Sequence, residues 1–438
     1  MSNPIRIIDD VQAINKVGSV ILQYETYQNS FVNALVNRIG MAIVTSKTWD
    51  NPWARFKQGT LELGETVEEI FANVVKSHSY DPHEAESHWM AREMPDVRAA
   101  FHTMNFQKYY KLTIQEYELR QAFIAWSEMT DLIARMTGAL YTSLNLDEFT
   151  MMKYMMCRAI LNAELYYETV TAQSTDPKDA VKKMRANSRK LTYLTNNYNQ
   201  AGVYNATDYR DQYIFIDADY ESVMDVEVLA AAFNMEKAEF IGHLIVVDSF
   251  SEHDEERLKM LFNEIDNAEY VPFTSAEKTS LGKIAGVTVG ARWWMVFDVM
   301  QTMRQQNNGE GLYWNYWLHT WKIFSISPFE NAIVYTSETG SITAVSLSPA
   351  TANMYPGSSI QFTPTVTKSG IIDTKVKYEI SGQKKAGTKI DTNGVLYLDP
   401  AETGTVADNE TNGTITVTCT SLADATAYDT STVTVINS

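Results

Sequence analysis

The sequence predicts an α+β domain over residues 1–340 followed by an all-β module over 341–438. Three observations predict it. Composition breaks near Gly340: all nine tryptophans lie at or before Trp321, and beyond the break Thr, Ser, Val and Gly dominate. After the break, short runs alternate apolar and polar residues with a period of two, the period of a half-buried strand. Before it, helix-start signals stand among short apolar runs, the mixture expected of an α+β domain.

Residues 45–110 hold few continuous apolar segments and are punctuated by Gly59, Gly64, Pro82 and Pro95. So long an excursion from a compact domain makes sense if it reaches a partner, and an extended hairpin laid onto a neighbour would explain it. Thr113-Ile-Gln-Glu116 has the form of a capping box. It precedes Leu119, Phe123, Trp126, Met129, Ile133, Met136 and Leu140, spaced as one buried helix face, so a helix is predicted over 113–140. Asn145-Leu-Asp-Glu148 marks a second helix start, followed by Met152, Met155, Met156, Ala159 and Ala163. Methionines in such a stripe read as soft core packing. Asp176-Pro177 is a cap with proline in the first turn, opening a third helix that carries Lys182, Lys183, Arg185, Arg189 and Lys190, the one dense basic run.

Ile214–Ile216 and Leu244–Val247 read as buried strands, with short helices over Val226–Phe233 and Glu236–Ile241 between them. Arg292–Phe297 and the aromatic stretch Tyr313–Ile326 read as strands packed under the long helix. In the C-terminal module, Ile360–Val366, Val376–Ile380, Thr414–Thr420 and Thr432–Ile436 are the strand candidates, with turns at Asn393-Gly394 and Asn412-Gly413. Several strands spaced by about 8–12 residues indicate a β-sandwich.

Composition narrows the function. The chain has 438 residues, 45% of them hydrophobic and 21% charged, enough apolar material for a sizeable core. No apolar run approaches the roughly 18 residues that span a bilayer; Trp293–Phe297 and Val228–Phe233 are far shorter. The opening MSNPIRIIDD places Asp9 and Asp10 where a signal peptide would be apolar, so neither secretion nor membrane insertion is expected. Cys157 and Cys419 lie far apart inside patterned segments and read as free buried thiols in a cytosolic setting. A formal net charge of -18 argues against tight nucleic-acid binding, although an acidic wall can enclose a polyanion without holding it.

Catalytic motifs are scarce. His83-Glu84 and His88 miss the zincin spacing by one residue; with His78 nearby a metal site is conceivable, but an exposed polar loop is the plainer reading. Asp217 and Asp219 flank Ala218 after a strand, a weak metal signal better read as loop capping. Tyr313, Trp314, Tyr316, Trp317 and Trp321 could form a sugar platform; an aromatic core or subunit interface is the better reading. No phosphate-binding glycine loop and no nucleophile elbow occurs. A carbohydrate-active enzyme with an accessory β-module is the alternative that Asp217, Asp219 and the aromatic cluster motivate. A surface adhesin would need the signal peptide that the opening residues lack.

An ordered series of segments resembles the major head protein of phi-29-type podophages. It comprises N-R-I-G-M at 37–41, N-P-W-A-R-F-K-Q-G at 51–59, L-G-E-T-V-E-E-I at 63–70, E-M-P-D-V-R at 93–98 and V-K-K-M-R-A-N-S-R-K-L-T at 181–192. It continues with I-D-A-D at 216–219, V-L-A-A-A-F-N-M at 228–235, G-L-Y-W-N-Y at 311–316 and F-E-N-A-I-V at 329–334. The resemblance implies the Hong Kong 97 capsid fold: an E-loop at about 45–110, a spine helix at 113–140, and a P-domain with an A-domain at about 195–290. The stretch 250–290 has no clear family counterpart. The C-terminal module resembles a bacterial immunoglobulin-like group 2 domain, with Tyr378 where such domains often carry a core tryptophan.

The implied role is a structural major capsid protein, not an enzyme and without cofactor or metal. It would self-assemble into hexamers and pentamers around a scaffolding protein in the host bacterial cytoplasm, then enclose double-stranded DNA packaged through a portal. Head fibres or host-surface glycans are the implied partners of the outward-facing immunoglobulin-like domain. No subunit crosslink and no maturation cleavage is expected. Arg55, Lys57, Glu62, Glu65, Glu68 and Glu69, dense on a segment with little core of its own, are the candidate inter-subunit contacts. Lys182, Lys183, Arg185 and Arg189 are a second set, either a solvated face or a salt-bridged contact with an acidic neighbour.

Overall fold

The computed structural model describes residues 48–75, 77, 95–115, 126–173, 175–223, 243–262, 270–405 and 413–436. The chain divides into two compact units. The first takes residues 1–65, 103–149 and 297–324; the second takes 66–102, 150–296 and 325–438.

The first unit is built on a sheet in the order β1-β9-β10-β4, from β1 (Lys57–Thr60), β9 (Trp294–Asn308), β10 (Tyr313–Ile326) and β4 (Phe106–Gln115). Strand β4 alternates: Phe106 and Ile114 are buried, while Gln107, Tyr109, Lys111, Thr113 and Gln115 are exposed. Its inward residues Tyr110 and Leu112, with Tyr316 and Leu318 of β10, pack against Leu140 and Leu144 of helix α1 (Trp126–Leu161). The expectation that the aromatic stretch forms a strand packed on the long helix therefore holds.

Two helix expectations need correction. Thr113-Ile-Gln belongs to β4, where Thr113 pairs with Asn315 and its hydroxyl donates to the Asn315 side chain at 2.6 Å; Glu116 lies outside the described residues. The described helix begins at Trp126 and runs 36 residues without a break, so Asn145-Leu-Asp-Glu148 is mid-helix and starts nothing. Those polar residues have tertiary partners instead: Tyr110 donates to Asp147 at 2.5 Å, and Asn51 donates to Glu148 at 2.7 Å.

In the second unit a mixed sheet has the order β5-β11-β8-β6-β7, from β5 (Tyr166–Thr169), β11 (Ala332–Thr336), β8 (Ile284–Gly290), β6 (Gln212–Asp217) and β7 (Leu244–Val247). Every residue of β8 is buried, as a central strand covered on both faces must be. Helix α2 (Pro177–Leu191) covers the sheet with Ala180, Val181 and Met184. Its start is the expected one, with the Asp176 side chain accepting from the Lys178 amide. Gly286 lets that helix close in: a Cβ there would lie 2.9 Å from the Met184 methyl and 2.7 Å from the Phe215 carbonyl. The helices expected at 226–233 and 236–241 lie outside the described residues.

The C-terminal residues form three small sheets, β12-β15, β13-β20-β19-β16 and β14-β18-β17. Their strands are β12 (Ser341–Ser348), β13 (Thr351–Met354), β14 (Ser359–Gln361), β15 (Thr363–Ser369), β16 (Val376–Ser381), β17 (Lys389–Ile390), β18 (Val395–Tyr397), β19 (Gly413–Ser421) and β20 (Tyr428–Val435). They share one core that includes Leu347, Phe362, Leu396, Ile415, Val417, Cys419, Val433 and Val435, with Tyr378 packed against it. The Asn393-Gly394 turn is present, with Gly394 at φ 84 and its amide donating to Asp391. A side chain there would also strike the Tyr378 ring. Cys157 and Cys419 are both free and buried.

Candidate functional site

The most chemically distinctive surface is a two-stranded ribbon, β2 (Val67–Ala72, VEEIFA) paired antiparallel with β3 (Val97–His102, VRAAFH). The register sets Glu68 opposite Phe101, Ile70 opposite Ala99 and Ala72 opposite Val97. Because side chains alternate across a strand, each face is read from every second residue. The inward face is held by its own chain. Ser327 Oγ donates to Glu69 Oε1 at 2.8 Å, and His102 Nε2 lies 3.4 Å from Glu69 Oε2. Phe71 stacks on Phe329 at 5.7 Å, and Arg98 donates to the Ala201 carbonyl.

The outward face is apolar and open: Ile70, Val97 and Phe101 are 60%, 52% and 67% exposed, with Ala72 and Ala99 between them and Glu68 at the edge. A two-stranded ribbon is marginal on its own, and contiguous exposed apolar surface marks a protein-contact site.

The acidic candidates sort by this geometry. Glu68 points out. Glu69 points in and is occupied by Ser327 and His102. Glu62 and Glu65 are exposed at the turn before the ribbon, where the Glu62 amide donates to the Glu65 carboxylate at 2.8 Å. Arg55 is exposed, with its guanidinium 5.1 Å from the Phe56 ring centroid.

Lys57 turns into its own unit. Its ammonium lies 2.7 Å from Asp298 and 3.3 Å from Glu148. Lys322 bonds the same two carboxylates, reaching Glu148 at 2.6 Å and Asp298 more closely still. Two cations thus face two anions, with Lys322 and Glu148 shut off from water and Lys57 and Asp298 at the half-buried rim. Burial alone would lower Lys57, but the hydrogen bond to Asp298 and the charges of Glu148 and Asp298 outweigh it and hold the ammonium above its ordinary range. Burial likewise works against the Asp298 carboxylate, yet Lys322 and Lys57 keep it below the ordinary carboxylate range. Sequence reasoning missed this cluster because its bonded pairs are separated by as many as 241 positions.

On α2, Lys182 is exposed and 3.8 Å from Asp176, while Lys183 pairs with Asp179 at 3.3 Å within the helix. Arg185 is half-buried and Arg189 is exposed in the last turn. The basic run therefore leaves Lys182, Arg189 and Lys190 exposed, while Lys183 is tied down locally.

The enzyme-like candidates resolve as structure. Asp217 accepts from the Asp219 amide at 3.0 Å, capping the turn into the short helix Ala218–Val223; burial raises its carboxyl above the ordinary range. Strand alternation puts Trp314 on one face of β10 and Trp317 and Trp321 on the other, so the three do not make one platform. His78, His83, Glu84 and His88 lie outside the described residues. Among the described residues there is no group of three or more His, Cys, Asp or Glu able to hold a metal ion, and no helix long and apolar enough to cross a membrane.

Comparison with known proteins agrees with the structural reading. A profile of the Phi29-like phage major capsid protein family matches residues 9–336, ending at the last residue of β11. The major capsid protein of Bacillus phage B103 is 35% identical over 417 residues, 92% of this chain and 83% of that protein. That of Bacillus phage PZA is 33% identical over 405 residues, 91% of this chain and 83% of that protein. Among solved structures, the capsid of Staphylococcus phage Andhra shares the fold, with a TM-score of 0.54 at 15% identity over 69% of this chain and 88% of that chain.

Proposed function

Since this chain belongs to the Phi29-like phage major capsid protein family, and is therefore a structural subunit of the virion capsid and not an enzyme, we propose how its parts divide that work. Residues 1–340 form a Hong Kong 97-type shell domain. The ribbon lies within an E-loop at about 45–110, α1 is the spine helix, and strands β6, β7 and β8 of the mixed sheet belong to an A-domain at about 195–290. Residues 341–438 form an immunoglobulin-like module displayed from the shell, where head fibres or host-surface glycans would bind. The subunits assemble as hexamers and pentamers around a scaffolding protein. Double-stranded DNA then enters through a portal and is enclosed without sequence-specific contacts, as the acidic balance of the chain favours.

The observation that carries this reading is the apolar outward face of the ribbon. Its inward face is satisfied by its own chain, so the outward face is what remains for a neighbouring copy. Ile70, Val97 and Phe101 supply the dry centre, while Glu68 and, at the turn, Glu62 and Glu65 supply charges that set register. Lys182 and Arg189 suit an acidic surface on another neighbour.

Electron microscopy and sedimentation of the full chain, expressed with and without its scaffolding protein, test the assignment. Closed shells tens of nanometres across are the expected result. A monomer or dimer under both conditions would overturn the assembly scheme.

A further inference from the structure

One loop of the second unit is held from two sides. The segment Thr195–Asn205 is closed by reciprocal backbone bonds between its ends, at 3.2 and 3.1 Å. Buried Asn199 braces it internally: its side chain donates to the Val203 carbonyl at 2.7 Å and accepts from the Val203 amide at 2.8 Å. On one side the ribbon grips it, because Arg98 donates to the Ala201 carbonyl and the Tyr204 amide donates to Asn73 Oδ1 at 3.1 Å. On the other side the C-terminal module grips it. Lys375 donates to the Asn197 carbonyl at 2.6 Å and to the Asn199 carbonyl at 3.2 Å.

Lys375 is itself well fixed. Its amide donates to Asp373 at 2.9 Å, and its carbonyl accepts from the Leu422 amide at 2.9 Å. The module has a second seat at its root, where Glu338 accepts from Ser280 at 2.9 Å and lies 3.6 Å from Lys283, and where Lys368 stands over the Tyr167 ring at 5.8 Å. Two seats remove the freedom to swing that one tether would leave.

We propose that the C-terminal module has a second function within the subunit: through Lys375 and the Thr195–Asn205 loop it braces the β2–β3 ribbon and sets its pose. A charge-assisted bond from an ammonium to two carbonyls is about twice as strong as a neutral one, and the braced loop passes the restraint over the single residue, Gln200, that separates Asn199 from Ala201. The bearing of this brace on assembly rests on the ribbon being the neighbour contact. The brace itself does not, because it acts within one chain.

Hydrogen exchange on the unassembled full chain tests it. Lys375→Met should speed exchange of the ribbon amides over 67–72 and 97–102 by about tenfold, and Lys375→Arg should restore most of the protection. Lys377→Met, which removes only an exposed pair with Glu379 at 3.0 Å, should leave the ribbon unchanged. Coupling between two seats is reciprocal, so Arg98→Met should speed exchange of the Leu422 amide, a measurement that stands even if Lys375→Met does not fold. Unchanged ribbon exchange in Lys375→Met, or an unchanged Leu422 amide in Arg98→Met, would overturn the brace. Loosened ribbon exchange with shells of normal size would uphold the brace and count against the ribbon as the neighbour contact.

Discussion

Lys322 lies 2.6 Å from Glu148, and the two side chains are only 1% and 2% exposed. Removing one partner of such a pair strands the other in a place water cannot reach. Lys322→Met should therefore destabilise the chain by about 3–5 kcal/mol, and Glu148→Gln by a similar amount. Denaturant titration measures this; a midpoint like that of the wild type would remove the cluster from the forces that hold the first unit together.

The same cluster fixes a pH dependence. The Asp298 carboxyl is depressed below its ordinary 3.8, so its contribution is complete above that value and drains away as pH falls through the folded value. Lys57 is raised above its ordinary 10.5, so its contribution is complete below that value and is lost as pH rises through the folded one. Urea titrations from neutral to strongly acidic pH should show an acid-side loss of stability that is reduced in Asp298→Asn.

On the ribbon, outward and inward substitutions should separate assembly from folding. Phe101→Asp and Glu68→Lys lie on the open face and should each move stability by no more than about 0.5 kcal/mol while preventing closed shells. Glu69→Lys, which breaks the contacts to Ser327 and His102, should lower the melting temperature of the unassembled chain. Shell formation by Phe101→Asp at wild-type yield would count against the open face as a contact.

Helix α1 ends on a left-handed residue that is not glycine. Ala163 has φ 62, while the Glu164 amide closes back on the Ala159 carbonyl at 3.0 Å. Ala163→Gly should stabilise the chain by about 1 kcal/mol, because the left-handed conformation is strained for alanine and free for glycine. Thermal melting reads this directly.

In the C-terminal module, Glu402 is 1% exposed and is ringed by donors. The amides of Lys384, Lys385, Thr403 and Gly404 and the Thr388 hydroxyl all donate to it. Burial opposes its charge, but these bonds win and bring the carboxyl down to about 2 from 4.5. Glu402→Gln should cost about 2 kcal/mol. The wild-type contribution should be intact above 4.5 and fade towards 2, which acid titration of the two proteins can compare.

What was legible in the sequence was local. Asp176-Pro177 marks a real helix start because the cap and the proline act within one turn. The strand at Tyr313–Ile326 was readable from its own residues. Thr113-Ile-Gln-Glu116 misled because a cap motif can occur by chance: Thr113, Ile114 and Gln115 belong to a strand, and the period-two alternation of Tyr110, Leu112 and Ile114 is the stronger signal. Asn145–Glu148 misled for another reason: its carboxylates serve Tyr110 and Lys322, partners far away in the chain. The candidate contacts divide in the same way. Density alone could not tell Glu68 from Glu69, whereas the strand period combined with one known inward neighbour does. Lys57 carries no local sign of Asp298.

The two buried thiols turn the subunit into its own chemical clock. Cys157 sits against the Phe250 carbonyl in the shell part, and Cys419 sits in the core of the C-terminal module. Burial pushes them up to about 12 and about 11, so at neutral pH almost no thiolate exists to react. A maleimide can reach either one only when its surroundings open. The rates of the two labelling reactions therefore time the breathing of shell and module separately, with no label engineered into either.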